Sequence, residues 1–152
     1  MGVTMKISTK GRYGLRSLVD LAINSTNGQV SLINIANRNK ISIHYLEQVF
    51  SSLKKSGIVK SVKGAGGGYI LGDRPSNIKV SQIIRTLEGD YQIAEEEKAE
   101  GSEYQNVSHV IDTLLWSRIN KATDDILENI TLEDLKNEYD KLCQNGQEMY
   151  YI

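Results

Sequence analysis

The spacing of apolar residues changes near Gly57, and this change constrains the fold more than any other feature of the sequence. Before Gly57, apolar side chains recur every three or four residues, as on one face of a helix. After it, they alternate on both sides of a glycine-rich run at residues 64–68. We therefore predict a mainly α-helical fold that carries one small β-hairpin, with strands near residues 58–62 and 69–71.

Three helices are predicted before the hairpin, each opened by a hydroxyl side chain that can cap its first turn. The predicted caps and helices are Thr9 with residues 10–24, Ser31 with residues 32–39, and Ser42 with residues 43–56. Gly57 then stands where a helix C-cap is expected. The inward face of the third helix is predicted to consist of Leu46, Val49, Phe50 and Leu53.

The second half of the chain is predicted to be helical on both sides of an acidic loop. Its segments are a helix from Ser81 to Leu87, the loop at residues 91–106, a long helix over 107–129, a helix from the capping box at Thr131 to Leu142, and an aperiodic tail at 143–152. The proposed units of the chain are residues 5–90, 91–106, 107–142 and 143–152.

Basic and acidic residues are separated along the chain. Residues 1–86 contain 13 Lys and Arg but only 3 Asp and Glu, whereas residues 87–152 contain 5 Lys and Arg and 16 Asp and Glu. Such separation indicates a polyanion-binding module joined to a segment with another role. The alternative is that these charges only solvate the surface.

The order of the first elements matches a winged helix-turn-helix, in which the second helix of the motif enters the major groove of DNA. Here that helix begins after Ser42. Glu47 can accept a hydrogen bond from cytosine N4, and Gln48 can pair with adenine. Ser42 and His44 suit phosphates, and Tyr45 suits either partner. We therefore predict that this helix reads the base sequence.

The glycine-rich hairpin is expected to act as a basic wing. Gly66 and Gly67 allow the backbone to approach DNA closely, because glycine has no Cβ. The alternative is that the glycines only make the hairpin flexible. The basic residues predicted on this surface are Lys10 and Arg12 in the first helix and Lys60 and Lys63 in the hairpin.

An enzyme is not predicted. The glycine run lacks the spacing of a nucleotide-binding loop, and a strand follows it where such a loop requires a helix. His44, His109 and Cys143 form neither a catalytic motif nor a zinc motif.

Four segments together resemble the Rrf2 family of bacterial transcription regulators. They are MKISTKGRYGL at residues 5–15, YLEQ at 45–48, GAGGGYILG at 64–72 and IIRTLEG at 83–89. The resemblance implies a homodimeric winged-helix protein whose recognition helix and wing bind a palindromic operator in double-stranded DNA. It makes Glu47 a base-reading position and Lys63 a basic wing position.

Many members of this family hold an iron–sulfur cluster on three cysteines in the loop after the fourth helix. In this sequence, residues 91–106 contain no cysteine and five glutamates. Because such clusters are normally held by thiolates, we expect no iron–sulfur cofactor. Glutamates can bind hard cations, but an acidic loop is usually only solvated, and no metal site is predicted.

The second half resembles a cluster-free branch of the family that represses cysteine metabolism. The matching segments are LWSRI at residues 115–119, TLEDL at 131–135 and EMYYI at 148–152. This resemblance implies a partner, O-acetylserine sulfhydrylase (cysteine synthase), that supports operator binding and is released by O-acetylserine. The residues implied to dock into that enzyme are Met149, Tyr150, Tyr151 and Ile152. The alternative is that this tail packs on the dimer or frays.

The long helix has a wider apolar stripe than the surface helix of a monomer requires. A two-fold dimer would also place two recognition helices on half-sites one helical turn apart. The residues predicted to form the dimer interface are Leu114, Leu115, Trp116, Ile119 and Ile126. The alternative is that this helix covers only its own winged-helix unit.

The resemblance implies a repressor of cysteine or sulfur metabolism genes, and the sequence itself predicts a cytoplasmic location. Residues 1–10 lack an apolar signal core, no run of about 18 apolar residues predicts a membrane span, and Cys143 is the sole cysteine. Two alternatives stay open. The first is a family member controlled directly by a small ligand or by thiol oxidation. The second is an interaction module that regulates an enzyme through its tail.

Overall fold

The structure is a computed structural model that describes residues 7–97, 101 and 103–150, with the side chains of 147–150 excepted. The predicted fold class is confirmed, because the described chain is mainly helical with one two-stranded sheet. In chain order the elements are α1 Thr9–Asn24, α2 Leu32–Asn39, α3 Ile43–Lys55, β1 Val59–Val62, β2 Gly68–Leu71, a 3-10 turn Pro75–Asn77, α4 Val80–Glu88, α5 Gln105–Ile111, a π turn Asp112–Trp116, α6 Ser117–Asn129 and α7 Leu132–Tyr150.

The predicted hairpin is present, and it is anchored to the turn between α1 and α2. Strands β1 and β2 pair antiparallel, with Val59 opposite Leu71 and Val62 opposite Gly68. Val30 adds a single bridge to Tyr69, through N–H···O bonds of 2.9 and 2.8 Å. The wing is therefore a two-stranded hairpin that a single bridge ties to the turn before α2.

One apolar core joins α1, α2, α3, the hairpin and α4. The predicted inward face of α3 is confirmed, since its four apolar residues are all buried. Phe50 is fully buried and meets the Tyr69 ring edge to face, with 4.9 Å between the ring centroids. Leu18 and Leu21 from α1 and Ile83 from α4 complete the same cluster.

Of the four N-caps predicted for α1 to α4, two are confirmed and two are wrong. The hydroxyls of Ser31 and Ser42 each accept a backbone N–H three residues later at 3.1 Å. The N-cap of α1 is Ser8 rather than Thr9, which lies inside the helix. Ser81 is buried within α4, whose first N–H, that of Val80, donates to the Ile130 carbonyl.

The third helix ends as predicted. The Gly57 N–H donates to the Lys54 carbonyl, and the Ile58 N–H donates to the Leu53 carbonyl. Gly57 has a φ of +81°. These bonds form the Schellman arrangement that closes many helices.

The last helix is longer than predicted, because α7 continues past Leu142 to Tyr150. The prediction of an aperiodic tail from residue 143 was wrong in this respect. Several residues of this stretch favour helices without contributing an apolar stripe, so periodicity alone could not detect the extension. Tyr151 and Ile152 lie outside the described residues.

The start of α7 returns to the winged-helix core. Leu132 is fully buried, and its N–H donates to the Ile78 carbonyl at 2.9 Å. Thr131 and Asp134 form the predicted capping box, each accepting the backbone N–H of the other. Residues beyond 107 thus also complete the first unit. In the described part of the chain, no helix is long and apolar enough to cross a membrane.

Candidate nucleic-acid interface

The outer face of α3 presents polar side chains to solvent. The side chains of His44 and Glu47 are 93% and 59% exposed, and their Nδ1 and Oε2 atoms are 3.7 Å apart. Gln48 is exposed on the next position. Because the opposite face of α3 is buried, this face is the one that can meet DNA, and Glu47 and Gln48 stay the residues predicted for base edges and His44 the one predicted for a phosphate.

Tyr45 is placed differently from the other predicted contacts of α3. Its half-buried ring meets Tyr13 of α1 edge to face, with 5.9 Å between centroids. Burial, together with the Glu88 carboxylate, raises the pKa of Tyr45. Tyr45 therefore fixes the first turn of α3 against α1, and its contact with DNA stays a prediction.

The hydroxyl of Ser42 is used within the protein as the cap of α3. Its Oγ atom accepts the Tyr45 N–H, so its remaining chemistry for a phosphate is donation of the hydroxyl proton. The first turn of α3 also carries free backbone N–H groups, which attract anions. Ser42 can therefore lie near a phosphate while it caps the helix.

The helix-turn-helix is held in shape by a buried carboxylate that sequence analysis missed. Asp20 of α1 accepts two hydrogen bonds from Arg38, at 2.9 and 2.7 Å, and one from Asn39 at 2.9 Å. The bonds from Arg38 form a bidentate pair. The hydrogen bond with Asp20 raises the pKa of Arg38. A lone acid inside a basic helix is the signal that could have revealed it.

The wing carries the predicted basic residues on an ordered glycine turn. Lys60 and Lys63 are both exposed. Gly66 has a φ of +79°, and a Cβ on Gly67 would lie 2.7 Å from the Val62 carbonyl oxygen. Both positions thus require glycine for the turn itself.

The tip of the wing is also tied to the body of the protein. The side-chain amide of Gln29, in the turn before α2, donates to the Gly66 carbonyl at 2.7 Å. Gln29 was not singled out in the sequence, because 37 residues separate it from Gly66. This bond limits how far the tip can move from the helices.

The start of α1 brings further basic residues to this side of the molecule. Arg12 is exposed and Lys10 is partly exposed. Glu88 of α4 accepts the Gly11 N–H at 2.9 Å, the Ser8 N–H at 3.1 Å and the Ser8 hydroxyl. Since Tyr13 contacts Tyr45, this end of α1 lies beside the first turn of α3. The basic residues of α1 are therefore near the recognition helix.

The residues predicted for dimerisation are not all alike. Leu114, Leu115 and Ile126 are exposed apolar side chains, as an unfilled interface requires, whereas Ile119 is half-buried. Trp116 is also half-buried, and its indole N–H donates to Glu96 at 2.8 Å. The Trp116 side chain thus binds the acidic loop of its own chain, and its role in a dimer stays a prediction.

The side-chain amide of Asn120 fastens the start of the acidic loop to α6. The Oδ1 atom of Asn120 accepts the N–H groups of Ile93 and Ala94 at 2.7 and 3.3 Å. Its Nδ2 atom donates to the Ala94 carbonyl at 2.8 Å. Asn120 was not predicted, because its partners are 26 and 27 residues away.

The remaining predicted site residues lie at the end of the chain. Met149 and Tyr150 belong to the last turn of α7, and Tyr151 and Ile152 lie outside the described residues. Cys143 is exposed on the same helix. Within the described ranges, no three or more His, Cys, Asp or Glu side chains are grouped so that they could hold a metal ion.

Comparison with known proteins gives a consistent result. The family model Rrf2, described as an iron-dependent transcriptional regulator, matches residues 7–138. The transcriptional regulator CymR of Bacillus subtilis (strain 168) is 42% identical over 151 residues, which span 97% of this chain and all of that protein.

Other relatives agree with this match. The regulator IscR of Klebsiella pneumoniae (strain 342) is 36% identical over 95% of this chain and 87% of its own length. The solved structure of CymR, the global cysteine regulator of B. subtilis, superposes with a TM-score of 0.74 at 45% identity, covering 88% of this chain and 97% of that one. This chain therefore belongs to the Rrf2 family and is a DNA-binding transcription regulator of that type, not an enzyme.

Proposed function

We propose that this protein is a dimeric, cytoplasmic repressor of cysteine or sulfur metabolism genes that binds a palindromic operator. The observation that carries the proposal is the surface formed by the exposed face of α3, the basic wing and the start of α1. Glu47 and Gln48 would read base edges, and Lys60 and Lys63 would contact phosphates. The similarity to CymR, 42% identity over 97% of this chain, supports cysteine metabolism as the target.

Dimerisation is proposed through the exposed apolar side chains of α5, the π turn and α6. Leu114 and Ile126 are the clearest members of this surface. Exposed apolar patches of this kind mark protein–protein contacts. A two-fold dimer would present two copies of α3 to successive turns of the major groove, which is what a palindromic operator requires.

The proposed effector system is a partner enzyme rather than a bound cofactor. Residues 91–106 contain no cysteine for an iron–sulfur cluster. Cysteine synthase would bind the segment Met149, Tyr150, Tyr151 and Ile152 and favour operator binding. A C-terminal carboxylate held by backbone amides is a recurring mode of peptide recognition. O-acetylserine, which has a carboxylate of its own, would compete for the enzyme's site and release the tail.

The decisive experiment measures binding of the purified protein to the DNA upstream of its own gene, at fixed salt, with and without cysteine synthase. We expect tighter specific binding with the enzyme, reversed by O-acetylserine. Deletion of Tyr151 and Ile152 should abolish the effect of the enzyme while leaving the basal affinity for DNA unchanged.

The other outcomes separate the alternatives. Specific binding that is indifferent to the enzyme keeps the repressor and rejects the partner, and control by a direct ligand or by oxidation of Cys143 is then tested. Binding to the enzyme without specific binding to DNA rejects the repressor and supports an interaction module.

A further inference from the structure

The winged-helix unit and the long helix meet at a cluster of charged side chains. Arg85 lies on α4, and its Nη1 atom is 2.7 Å from Oε1 of Glu128 on α6. Its Nη2 atom is 3.8 Å from Oδ1 of Asp124, one turn earlier on the same helix. Lys79, at the start of α4, reaches the other Glu128 oxygen at 3.5 Å.

A second connection fixes the far end of the same junction. The Val80 N–H donates to the Ile130 carbonyl, and the Leu132 N–H donates to the Ile78 carbonyl, both at 2.9 Å. These bonds attach the end of α6 to the start of α4, but one point of attachment alone would let α6 pivot. The pairs from Arg85 to Asp124 and Glu128 lie further along α6 and therefore restrict that pivot.

The acidic loop reaches the junction as well. The guanidinium carbon of Arg85 is 6.0 Å from the centroid of the Tyr91 ring, at the start of the loop. The hydrogen bond from Arg85 holds the pKa of the Glu128 carboxyl below its usual value. Glu128 is therefore ionised at neutral pH, and the pair with Arg85 is fully charged there.

We propose that Arg85 is a positioning residue for operator recognition, which sets the angle between α4 and α6 and thereby the separation of the two recognition helices in the dimer. This inference rests on the proposed dimeric function. In that dimer α6 belongs to the shared interface, whereas α3 is rigidly packed on α4 through the core. A small rotation at the junction would move the two copies of α3 relative to each other. Arg85 would thus act on DNA without touching it.

The test varies the spacing between half-sites. Palindromic duplexes carry a half-site that the wild-type protein selects from random DNA, with the spacing changed by one or two base pairs. Each base pair moves a half-site by about 3.4 Å along the helix axis. We expect the wild type to prefer one spacing.

Arg85→Gln and Glu128→Gln should each weaken that preference by roughly fivefold or more, since coupling between sites commonly has this size. Their affinity for a duplex with a single half-site should stay at the wild-type value. The effects of the double variant should be less than additive, because the two single changes share the bond between Arg85 and Glu128 and differ only in the weaker pairs with Asp124 and Lys79.

The matched control is Lys121→Gln. Lys121 pairs with Asp125 at 2.9 Å, but both residues lie on α6, so this ion pair does not join two units. The control should keep the wild-type spacing profile. Circular dichroism verifies folding, and Glu128→Gln carries the test if Arg85→Gln fails to fold.

Two results would overturn the inference: an unchanged spacing profile in the folded variants, or an equal loss of affinity at every spacing. A wild type that selects half-sites but prefers no spacing also overturns it. A wild type that selects no two-half-site DNA instead rejects the proposed function.

Discussion

Helix α3 buries its apolar face, whereas the long helix leaves apolar side chains exposed. The four apolar residues of the inner face of α3 are at most 1% exposed. Along α5, the π turn and α6, by contrast, Leu114 is 63% exposed and Ile126 is 59% exposed. The winged-helix unit therefore completes its core within the chain, whereas the long helix presents exposed apolar side chains, which is the face that we propose for the dimer interface.

The largest expected effect is on the core of the winged-helix unit. Phe50→Ala removes a ring that contacts Tyr69, and it should cost about 3–5 kcal/mol of the free energy of unfolding. Urea denaturation followed by circular dichroism measures the loss. Ile33, which is 61% exposed on α2, provides the control. Ile33→Ala should change stability by no more than about 0.5 kcal/mol, and equal effects of the two changes would contradict the contrast drawn above.

The next effect concerns the exposed face of the long helix. Leu114→Glu should dissociate the dimer, because burial of a leucine is worth about 1.5–3 kcal/mol in each copy and an unpaired buried carboxylate adds a further cost. Sedimentation velocity should show the mass of a monomer. Ile33→Glu changes an equally exposed residue outside this face and should leave the dimer intact. A dimer that persists in Leu114→Glu would place the interface elsewhere.

A smaller effect is expected at the base-reading face of α3. Glu47→Ala should reduce operator affinity by about 1–3 kcal/mol and relax preference at one base pair. Fluorescence anisotropy with operators altered at single positions provides the measurement. Thermal denaturation should be close to that of the wild type, since Glu47 is exposed. If operator affinity and base preference both stay at the wild-type level, Glu47 is not the residue through which α3 reads bases.

The smallest effect is expected at the wing. Lys63→Gln should weaken binding to all DNA sequences alike. It should also lower the slope of log affinity against log salt by about 1. Titrations at several salt concentrations with specific and unrelated duplexes measure both quantities. A loss confined to the operator would show that Lys63 reads bases rather than phosphates.

The parts of the fold that depend on neighbouring residues could be predicted from the sequence. The caps Ser31 and Ser42 bond to N–H groups three residues away, and Gly57 closes α3 by contacts with the turn before it. Burial along α3 follows directly from its apolar spacing. Local patterns of this kind predicted the positions of α3 and of the hairpin correctly.

Contacts between distant residues could not be predicted in this way. The carboxylate of Glu88 binds the start of α1, 80 residues away, and Asp20 meets Arg38 across 18 residues. The sequence displays these groups only as ordinary charges. Their partners are decided by how α1 packs on α2 and α4, and this packing also places Tyr45 against Tyr13.

The π turn at Asp112–Trp116 determines which residues of the long helix share a side. Nineteen positions separate Val107 from Ile126. At about 100° per residue, an unbroken α-helix would place them about 100° apart around the axis. One extra residue accommodated in a π turn removes that offset, so both fall on the side of Leu114. The π turn therefore takes up one residue in excess of the α-helical count. Deleting one residue there would leave 18 positions between Val107 and Ile126, about five full turns, so an unbroken α-helix would keep both on the same side. Straightening the turn without a deletion would instead rotate Ile126 about 100° away from Val107.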